Sequence, residues 1–194
     1  MMQWRFKPKV ALIVLAAGSL TLTTAWSASN AFYLNEQSDC LPQGVYLHES
    51  IGALANNPVR DGQIIRVCPP ASAATLALSR GYDIRWKGST CSDQAEPFLK
   101  EIVATTGQIV NVTKRGVTVN GHMLPNSKPY TMDPLGRHMP VDWGSHVIRK
   151  GTVWLWAQNP LAYDSTYYGA VPVENIKGYA KPLWTSKAVE QVNF

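Results

Sequence analysis

The sequence is short of the residues that bind metals and of charged residues in general. Its 194 residues include three cysteines and four histidines, and charged residues make up 16% of the chain. The histidines lack the spacing of metal ligands, so we predict surface or loop positions for them rather than a zinc site. They are His48, His122, His138 and His146. The sequence also lacks a phosphate-binding loop and a cofactor motif, so we expect an activity that needs no cofactor.

Basic residues exceed acidic ones, but they form no dense run. Eighteen Lys and Arg against thirteen Asp and Glu give a formal net charge of +5. Because the basic residues are scattered, we predict a mildly basic surface and no binding to nucleic acid.

The body of the chain lacks internal repeats and shows no sign of a second globular domain. A hydrophobic fraction of 45% is typical of a folded protein, and the length suits one domain plus an N-terminal extra segment. Seven Trp and eight Tyr, with thirteen Pro and fourteen Gly, favour a mainly β body with many loops.

The N-terminal segment has the pattern of an export signal. Three basic residues within the first nine precede residues 10–26, which carry no charge. This order places the basic end in the cytoplasm and the body outside it. Segment 10–26 is at the short limit for a membrane-spanning helix, and a cleaved signal peptide is the alternative. We favour a retained anchor, because no A-x-A cleavage triplet follows at the right distance.

We therefore expect two parts in the chain. Residues 1–29 form a cytoplasmic stub and the membrane anchor, or a signal segment, and residues 30–194 form a periplasmic domain. In that oxidising compartment two of Cys40, Cys68 and Cys91 should pair. A bond between Cys68 and Cys91 would enclose 22 residues and stabilise the fold by roughly 3 kcal/mol. The residues themselves leave the connectivity open.

Short apolar runs bounded by Gly and Pro predict strands, and one alanine-rich run predicts a helix that begins after Pro70 and stops at Gly81. We predict strands in 44–50, 61–70, 98–107 and 173–184, a hairpin in 108–124, a strand or hairpin in 146–158, and loops in 125–144 and 159–172.

Two side chains are candidates for catalysis. Cys40 lies in "NEQSDCLPQGVY", shortly before Pro42 and Gly44, and Lys100 lies inside the apolar run "PFLKEIVATTG". Burial disfavours the ammonium form, so a buried lysine can serve as a general base, and a nucleophile with a lysine is a known variant of the hydrolytic triad. The alternative for Lys100 is a strand-edge lysine that reaches solvent.

Four segments in order resemble the boxes of a membrane-anchored signal peptidase I relative of the conjugal-transfer TraF type. "NEQSDCLPQGVY" resembles the nucleophile box N-x-x-[ST]-x-S-x-P-x-G-x-Y, with Cys40 at the serine position. "DGQIIRVCPP" resembles the second strand of that group. "FLKEIVATTGQIV", followed by "VTVNGHMLPNS", resembles the K-R-[IV]-[VI]-[GA]-x-x-G-D box and the segment after it, with Lys100 at the lysine. "AYDSTYYGAVP" resembles S-x-D-S-R-x-x-G, with Asp164, Ser165 and Gly169 in place.

The resemblance implies roles for these residues. Cys40 would attack the scissile carbonyl, and Lys100 would take and return the proton. Ser38 would help to stabilise the oxyanion, and Asp164 and Ser165 would support the lysine and the local fold. It also implies a Cys68–Cys91 disulfide, which leaves Cys40 as the thiol. The expected fold is mainly β, a signal-peptidase-like β-barrel or sheet body with a short helix, preceded by one transmembrane helix.

The function implied by the resemblance is processing of a pilin-like precursor, with cyclisation as a further outcome, for a conjugative type IV secretion system. The site would lie in the periplasm beside the bacterial inner membrane, in an apolar cleft that takes small side chains. The partners would be the precursor protein and the membrane, through residues 10–26.

Five positions depart from the family pattern. Cys40 replaces serine, and a thiol ionises more readily than a hydroxyl, so Lys100 would act as a base or as an ammonium that stabilises the thiolate. The other departures are Glu101 for Arg, Gln108 for Asp, Ala162 for Ser and Thr166 for Arg. They support an alternative function, in which a catalytically weakened or inactive relative acts as an assembly component of the conjugation apparatus.

Overall fold

The protein is described from a computed structural model. The structure describes residues 32–36, 40–50 and 58–189. The predicted anchor at 10–26, the boundary after residue 29 and Ser38 lie outside the described residues, so the predictions made for them stay predictions. Within the described ranges, no helix is both long enough and apolar enough to cross a membrane.

Eleven strands and two α-helices make up the described part of the chain, which confirms a mainly β body with a short helix. The strands are β1 Phe32–Asn35, β2 Gly44–Ser50, β3 Ile64–Val67, β4 Phe98–Ala104, β5 Ile109–Thr113, β6 Gly116–Val119, β7 His122–Met123, β8 Gly144–Val147, β9 Thr152–Trp156, β10 Val171–Pro172 and β11 Ile176–Thr185. The helices are α1 Ala71–Arg80 and α2 Ser165–Tyr168, and a 3-10 turn covers Val173–Asn175.

The strands form two antiparallel sheets. One has seven strands in the order β1-β2-β11-β3-β4-β9-β10, and the other has four in the order β7-β6-β5-β8. Strand β4 carries Lys100 and pairs with β3 on one side and with β9 on the other, so that Lys100 lies opposite Ile65. The lysine therefore sits well inside the larger sheet and not at its edge.

Strands β4 and β9 are covered on both faces. Ile102 and Leu155 belong to one hydrophobic cluster, whereas Val103 and Trp154 belong to another that includes the small sheet. Successive side chains of a strand point to opposite faces, so both faces of these strands are packed. A side chain in the middle of β4 is therefore largely enclosed by neighbouring strands, and Lys100 is buried although it lines the cavity described below.

Helix α1 forms as the sequence predicts. It begins directly after Pro70, and it ends at Gly81, whose φ of 73° lies in the left-handed region and whose N–H donates to the carbonyl of Ala77. Its buried face is made of Ala73, Ala74 and Ala77.

The predicted strand 44–50 is confirmed, and the strand predicted at 98–107 forms over Phe98–Ala104 and ends in a turn. The hairpin in 108–124 is confirmed, where β5 pairs with β6. The hairpin alternative for 146–158 is wrong, because β8 pairs with β5 in the small sheet and β9 joins the large one. The physical reason is their burial: β9 is almost wholly buried, whereas β8 is mostly exposed.

Several short elements escaped the sequence analysis. The segment 159–172 was predicted as a loop, but it contains β10 and α2, a single helical turn that begins at the capping residue Asp164. Strand β1 was not predicted either; it pairs with β2 and brings Asn35 opposite Gly44. A strand of four residues at the margin of a sheet has too little hydrophobic alternation to be visible in a single sequence.

Candidate active site

The two candidate catalytic side chains lie in contact. Lys100 Nζ is 2.9 Å from Cys40 Sγ, although 60 residues separate the two positions in the chain. Lys100 is 1% exposed, and Cys40 is partly exposed. The alternative in which Lys100 extends to solvent is therefore wrong. A partly open sulfur beside a buried amine is the arrangement that a nucleophile with an adjacent proton acceptor requires.

The neighbours of the two residues bring them together. Leu41 follows Cys40, Leu99 precedes Lys100, and both leucines belong to one buried cluster with Tyr46, Ile64 and Ala180. These residues come from β2, β3, β4 and β11, so the loop that carries Cys40 lies against several strands of the large sheet. Burial of Leu41, which is 1% exposed, holds the loop in that position.

An aromatic ring also contacts the lysine. Lys100 Nζ lies 5.4 Å from the centroid of the Phe98 ring, two residues earlier in β4. A ring face at this distance attracts an ammonium group. Phe98 therefore helps to hold a charged Lys100 beside the sulfur.

The predicted disulfide between Cys68 and Cys91 is confirmed, and Cys40 lies outside it as a thiol. The bond joins the end of β3 to a point shortly before β4. The bond thereby closes a loop from Cys68 to Cys91 that contains α1. We call the whole segment between the two strands, residues 68–97, the β3–β4 excursion.

The pair opens into a cavity of about 690 Å³. Its walls come from four parts of the chain: residues 33–36 with Cys40, residues 81–100 at the end of the β3–β4 excursion and the start of β4, residues 130–139 and residues 159–167. Apolar and aromatic side chains dominate the lining, as the sequence analysis expected. They include Leu34, Tyr82, Ile84, Trp86, Phe98, Tyr130, Met132, Met139, Leu161, Tyr163 and Tyr167.

The cavity also contains carboxylates, which the expectation of an apolar cleft did not include. Glu36, Asp83, Glu96 and Asp133 line it, and Lys100 is the one basic residue among its described lining. Burial raises the pKa of Asp83 to about 6; the N–H of Ile84 partly offsets this, and the charge of Glu96 adds to it. The cavity is therefore acidic although the chain as a whole is basic.

One wall of the cavity is fixed by a polar network. Asp133 accepts hydrogen bonds from the Tyr82 hydroxyl and from Nε of Arg137, the latter at 2.6 Å. Burial raises the pKa of Asp133, but the hydrogen bonds from Tyr82 and Arg137 outweigh this and lower it below its usual range. The network ties the β3–β4 excursion to the opposite wall.

Asp164 is buried and is coupled to Lys100 through charge. Burial raises the pKa of Asp164, and the positive charge of Lys100 opposes that rise. Its Oδ1 accepts a hydrogen bond of 2.9 Å from the backbone N–H of Thr166, so the same carboxylate caps α2. This position agrees with the supporting role that the family resemblance implies, and the role itself stays a prediction.

Ser165 is fully buried, and its contact concerns the fold. Its Oγ accepts a hydrogen bond of 2.9 Å from the N–H of Leu155. This bond fastens α2 to β9, the neighbour of the strand that carries Lys100. This hydrogen bond agrees with support of the local fold, and the role that the resemblance implies for Ser165 stays a prediction.

The departures from the family pattern occupy different environments. Ala162 lines the cavity, so the hydroxyl that the family's serine would supply at this position is absent from the cavity wall. Gln108 donates from Nε2 to Asp61 Oδ2 at 2.7 Å and accepts from Thr105, which makes it part of a turn. Thr166 is buried within α2, and Glu101 is fully buried beside Lys100.

The sequence analysis placed Asn35 and Tyr46 in the nucleophile box but did not give them a role. The structure shows that both donate hydrogen bonds to the loop that carries Cys40. The only signal for this in the sequence was the presence of both residues in the nucleophile box. Ser38 lies outside the described residues.

In this mainly β body a thiol thus lies beside a buried lysine, and both line one cavity. The comparison with protein families gives the class of protein. The model described as "Signal peptidase, peptidase S26" matches residues 4–184, and the chain belongs to this family of signal peptidase-type proteases.

Similar proteins are conjugal-transfer proteins. The chain is 30% identical to the probable conjugal transfer protein TraF of Sinorhizobium fredii over 168 residues, an alignment that covers 85% of this chain and 82% of that protein. It is 29% identical to the plasmid transfer protein TraF of Escherichia coli over 175 residues, which are 89% of this chain and 94% of that protein. It is 29% identical to the conjugal transfer protein TraF of Agrobacterium fabrum over 145 residues, which are 74% of this chain and 77% of that protein. The resemblance to TraF-type proteins is confirmed.

Proposed function

We propose that this protein is a membrane-anchored endopeptidase that processes a pilin-like precursor for a conjugative secretion system, with Cys40 as nucleophile and Lys100 as its proton carrier. Family membership supports a signal peptidase-type protease. The printed names of the similar proteins support conjugation as its setting. The observation that carries the catalytic assignment is the 2.9 Å contact between Lys100 Nζ and Cys40 Sγ at the base of the cavity.

The contact supports a two-step reaction. Sγ attacks the scissile carbonyl carbon as the thiolate while Lys100 Nζ holds the proton. The C–N bond then breaks, Nζ passes the proton to the departing amine, and a thioester to Cys40 remains. Water, or an amine of the substrate itself, attacks the thioester and gives its proton to Lys100 Nζ. The C–S bond breaks, and Cys40 leaves as the thiolate beside the protonated lysine. Attack by the substrate's amine gives a cyclic product.

We place the catalytic domain in the periplasm and the anchor, residues 10–26, in the bacterial inner membrane. The uncharged segment after three basic residues supports this orientation. The disulfide between Cys68 and Cys91 supports an oxidising compartment. An anchored enzyme and an anchored precursor share the plane of the membrane, which raises their effective concentration.

Co-expression with the pilin-like precursor of the same conjugation system tests the proposal. We expect the native chain and Cys40→Ser to release product of the cleaved mass, with different rates. Cys40→Ala should abolish cleavage. Lys100→Met, which keeps the length of the side chain but removes the amine, should slow cleavage by about 10²–10⁴-fold, the usual contribution of a general acid–base group. Intact mass of the precursor and its product gives the readout.

Two results would overturn parts of the proposal. Cleavage by Cys40→Ser but not by the native chain would identify a protease disabled by its thiol. Unprocessed precursor with every variant, from proteins that fold, would favour the alternative of a non-catalytic assembly component. The observation that supports this alternative is the position of Ala162 in the cavity wall, where the family pattern has a serine hydroxyl.

A further inference from the structure

The loop that carries Cys40 is held by hydrogen bonds from two buried side chains, Asn35 and Tyr46. Nδ2 of Asn35 donates to the carbonyl of Leu41 at 3.0 Å and to the carbonyl of Pro42 at 3.2 Å. An amide nitrogen carries two hydrogens, so one side chain can hold two successive carbonyls. These carbonyls belong to the two residues that directly follow Cys40.

Tyr46 holds the same loop from the other strand. Its hydroxyl donates to the carbonyl of Pro42 at 2.6 Å. Asn35 is 1% exposed and Tyr46 is fully buried, so water cannot readily replace either donor. We call the bonds from Asn35 and Tyr46 to the carbonyls of Leu41 and Pro42 the loop clamp.

The clamp and the catalytic pair share a set of packed residues. Leu41, held through its carbonyl, packs by its side chain against Leu99, the neighbour of Lys100. The backbone that determines the place of Sγ is therefore fixed by bonds on one side and by core packing on the other. A shift of the loop would therefore change the contact between Sγ and Nζ.

We infer that Asn35 and Tyr46 are positioning residues, which set the contact of Cys40 with Lys100 through the loop clamp. The inference rests on the proposed function, in which Cys40 is the nucleophile. Asparagine suits the position because it is small enough for the interior and supplies both donors. Aspartate would place a carboxylate against two carbonyl oxygens, and leucine would keep the volume without a donor.

The test compares Asn35→Leu and Tyr46→Phe with the native full-length chain in detergent. Alkylation of Cys40 by iodoacetamide, followed by intact mass without reductant, reports the sulfur without any substrate, because Cys68 and Cys91 are joined in the disulfide. We expect slower alkylation in both variants. For precursor cleavage we expect a fall in kcat of up to about 10²-fold, the cost of a misplacement of roughly 1 Å, with KM nearly unchanged.

A double-mutant comparison separates positioning from a general loss of structure. Lys100→Met should change the alkylation rate less in the Tyr46→Phe background than in the native background, since the contact it removes is already loosened. Ser127→Ala is the matched control. It removes buried hydrogen bonds to Val117 and Leu124 in the small sheet, and it should lower Tm without an effect on alkylation.

Native rates of alkylation and cleavage in folded Asn35→Leu and Tyr46→Phe would overturn the inference. So would an equal loss in Ser127→Ala. If Asn35→Leu fails to fold, Tyr46→Phe, which lacks a single hydroxyl, decides. Failure of the proposed function has a different result: the clamp variants would change alkylation while no protein, native or variant, cleaves the precursor.

Discussion

Gly44 shows why a motif residue beside the nucleophile cannot carry a side chain. Its φ is +151°, and a Cβ added there would lie 2.1 Å from the carbonyl oxygen of Trp184. Strand β11 pairs with β2 here, with Thr185 opposite Gly44, so its backbone lies directly against the first residue of β2, at the end of the loop that holds Cys40. The glycine of the nucleophile box is required by this close approach of two strands, and so contributes to the site through the backbone.

Asp83 gives a pH-dependent prediction at the same scale. Burial raises its pKa to about 6, and the charges of Glu96 and Asp93 act in the same direction. The folded state therefore holds this proton more tightly than the unfolded state, whose carboxyl has the ordinary value of 3.8. Stability from this group is present at low pH and is lost as pH rises from about 4 through about 6.

We expect Asp83→Asn to raise Tm by about 2–4 °C at pH 8 and to have less effect at pH 5. Asn can still accept the N–H of Ile84, which bonds Asp83 Oδ1 at 2.7 Å. Calorimetric scans at the two pH values provide the measurement. Glu174→Gln removes an exposed carboxylate and controls for net charge. An equal shift at both pH values would contradict the prediction.

At the scale of elements, the β3–β4 excursion joins the scaffold to the cavity. It leaves the large sheet after Val67, forms α1 and returns at Phe98, and its residues line one side of the cavity. Its fastenings include the disulfide, the Tyr82–Asp133 hydrogen bond, and the hydrogen bonds that join Arg80 to His138 and to Arg137. The shape of this wall depends on all of them.

Removal of the disulfide should loosen the excursion. The double variant Cys68→Ala/Cys91→Ala loses a cross-link with a sequence separation of 23, which should cost about 3 kcal/mol of unfolding free energy. Urea unfolding followed by tryptophan fluorescence measures the change. Cys40→Ala, which leaves the disulfide intact, is the matched control. An unchanged unfolding midpoint in the double variant would show that the excursion is held by its packing alone.

At the scale of the whole molecule, Lys100 belongs to the most enclosed part of the fold. Strands β3, β4 and β9 lie inside the large sheet, and β4 and β9 are packed on both faces. Amide hydrogens of these strands should exchange most slowly, and those of the exposed two-residue strand β7 should exchange fast. Exchange followed by mass spectrometry of peptic peptides measures this. Exchange in β4 as fast as in β7 would contradict it.

Much of this arrangement could be predicted from the sequence. Strand patterns, the helix before Gly81 and the order of the motif boxes were sufficient for the mainly β body, and the boxes pointed to Cys40 and Lys100. The sequence did not reveal that β8 and β9 belong to different sheets. The two strands flank one turn, as the strands of a hairpin do, and only their burial in the fold distinguishes them. The acidic residues of the cavity were hidden because Asp83 and Asp133 are 50 residues apart, and only the fold brings them to one space.

The β3–β4 excursion has a consequence for how this enzyme class can diversify. Lys100 stands on the large sheet with Cys40 beside it, whereas part of the cavity lining comes from a segment whose ends lie in the neighbouring strands β3 and β4. Such a piece can be exchanged between relatives, as a single cassette, without a change to the chemistry beneath it. Transplanting residues 68–97 should therefore transfer preference for a precursor while the reaction stays the same.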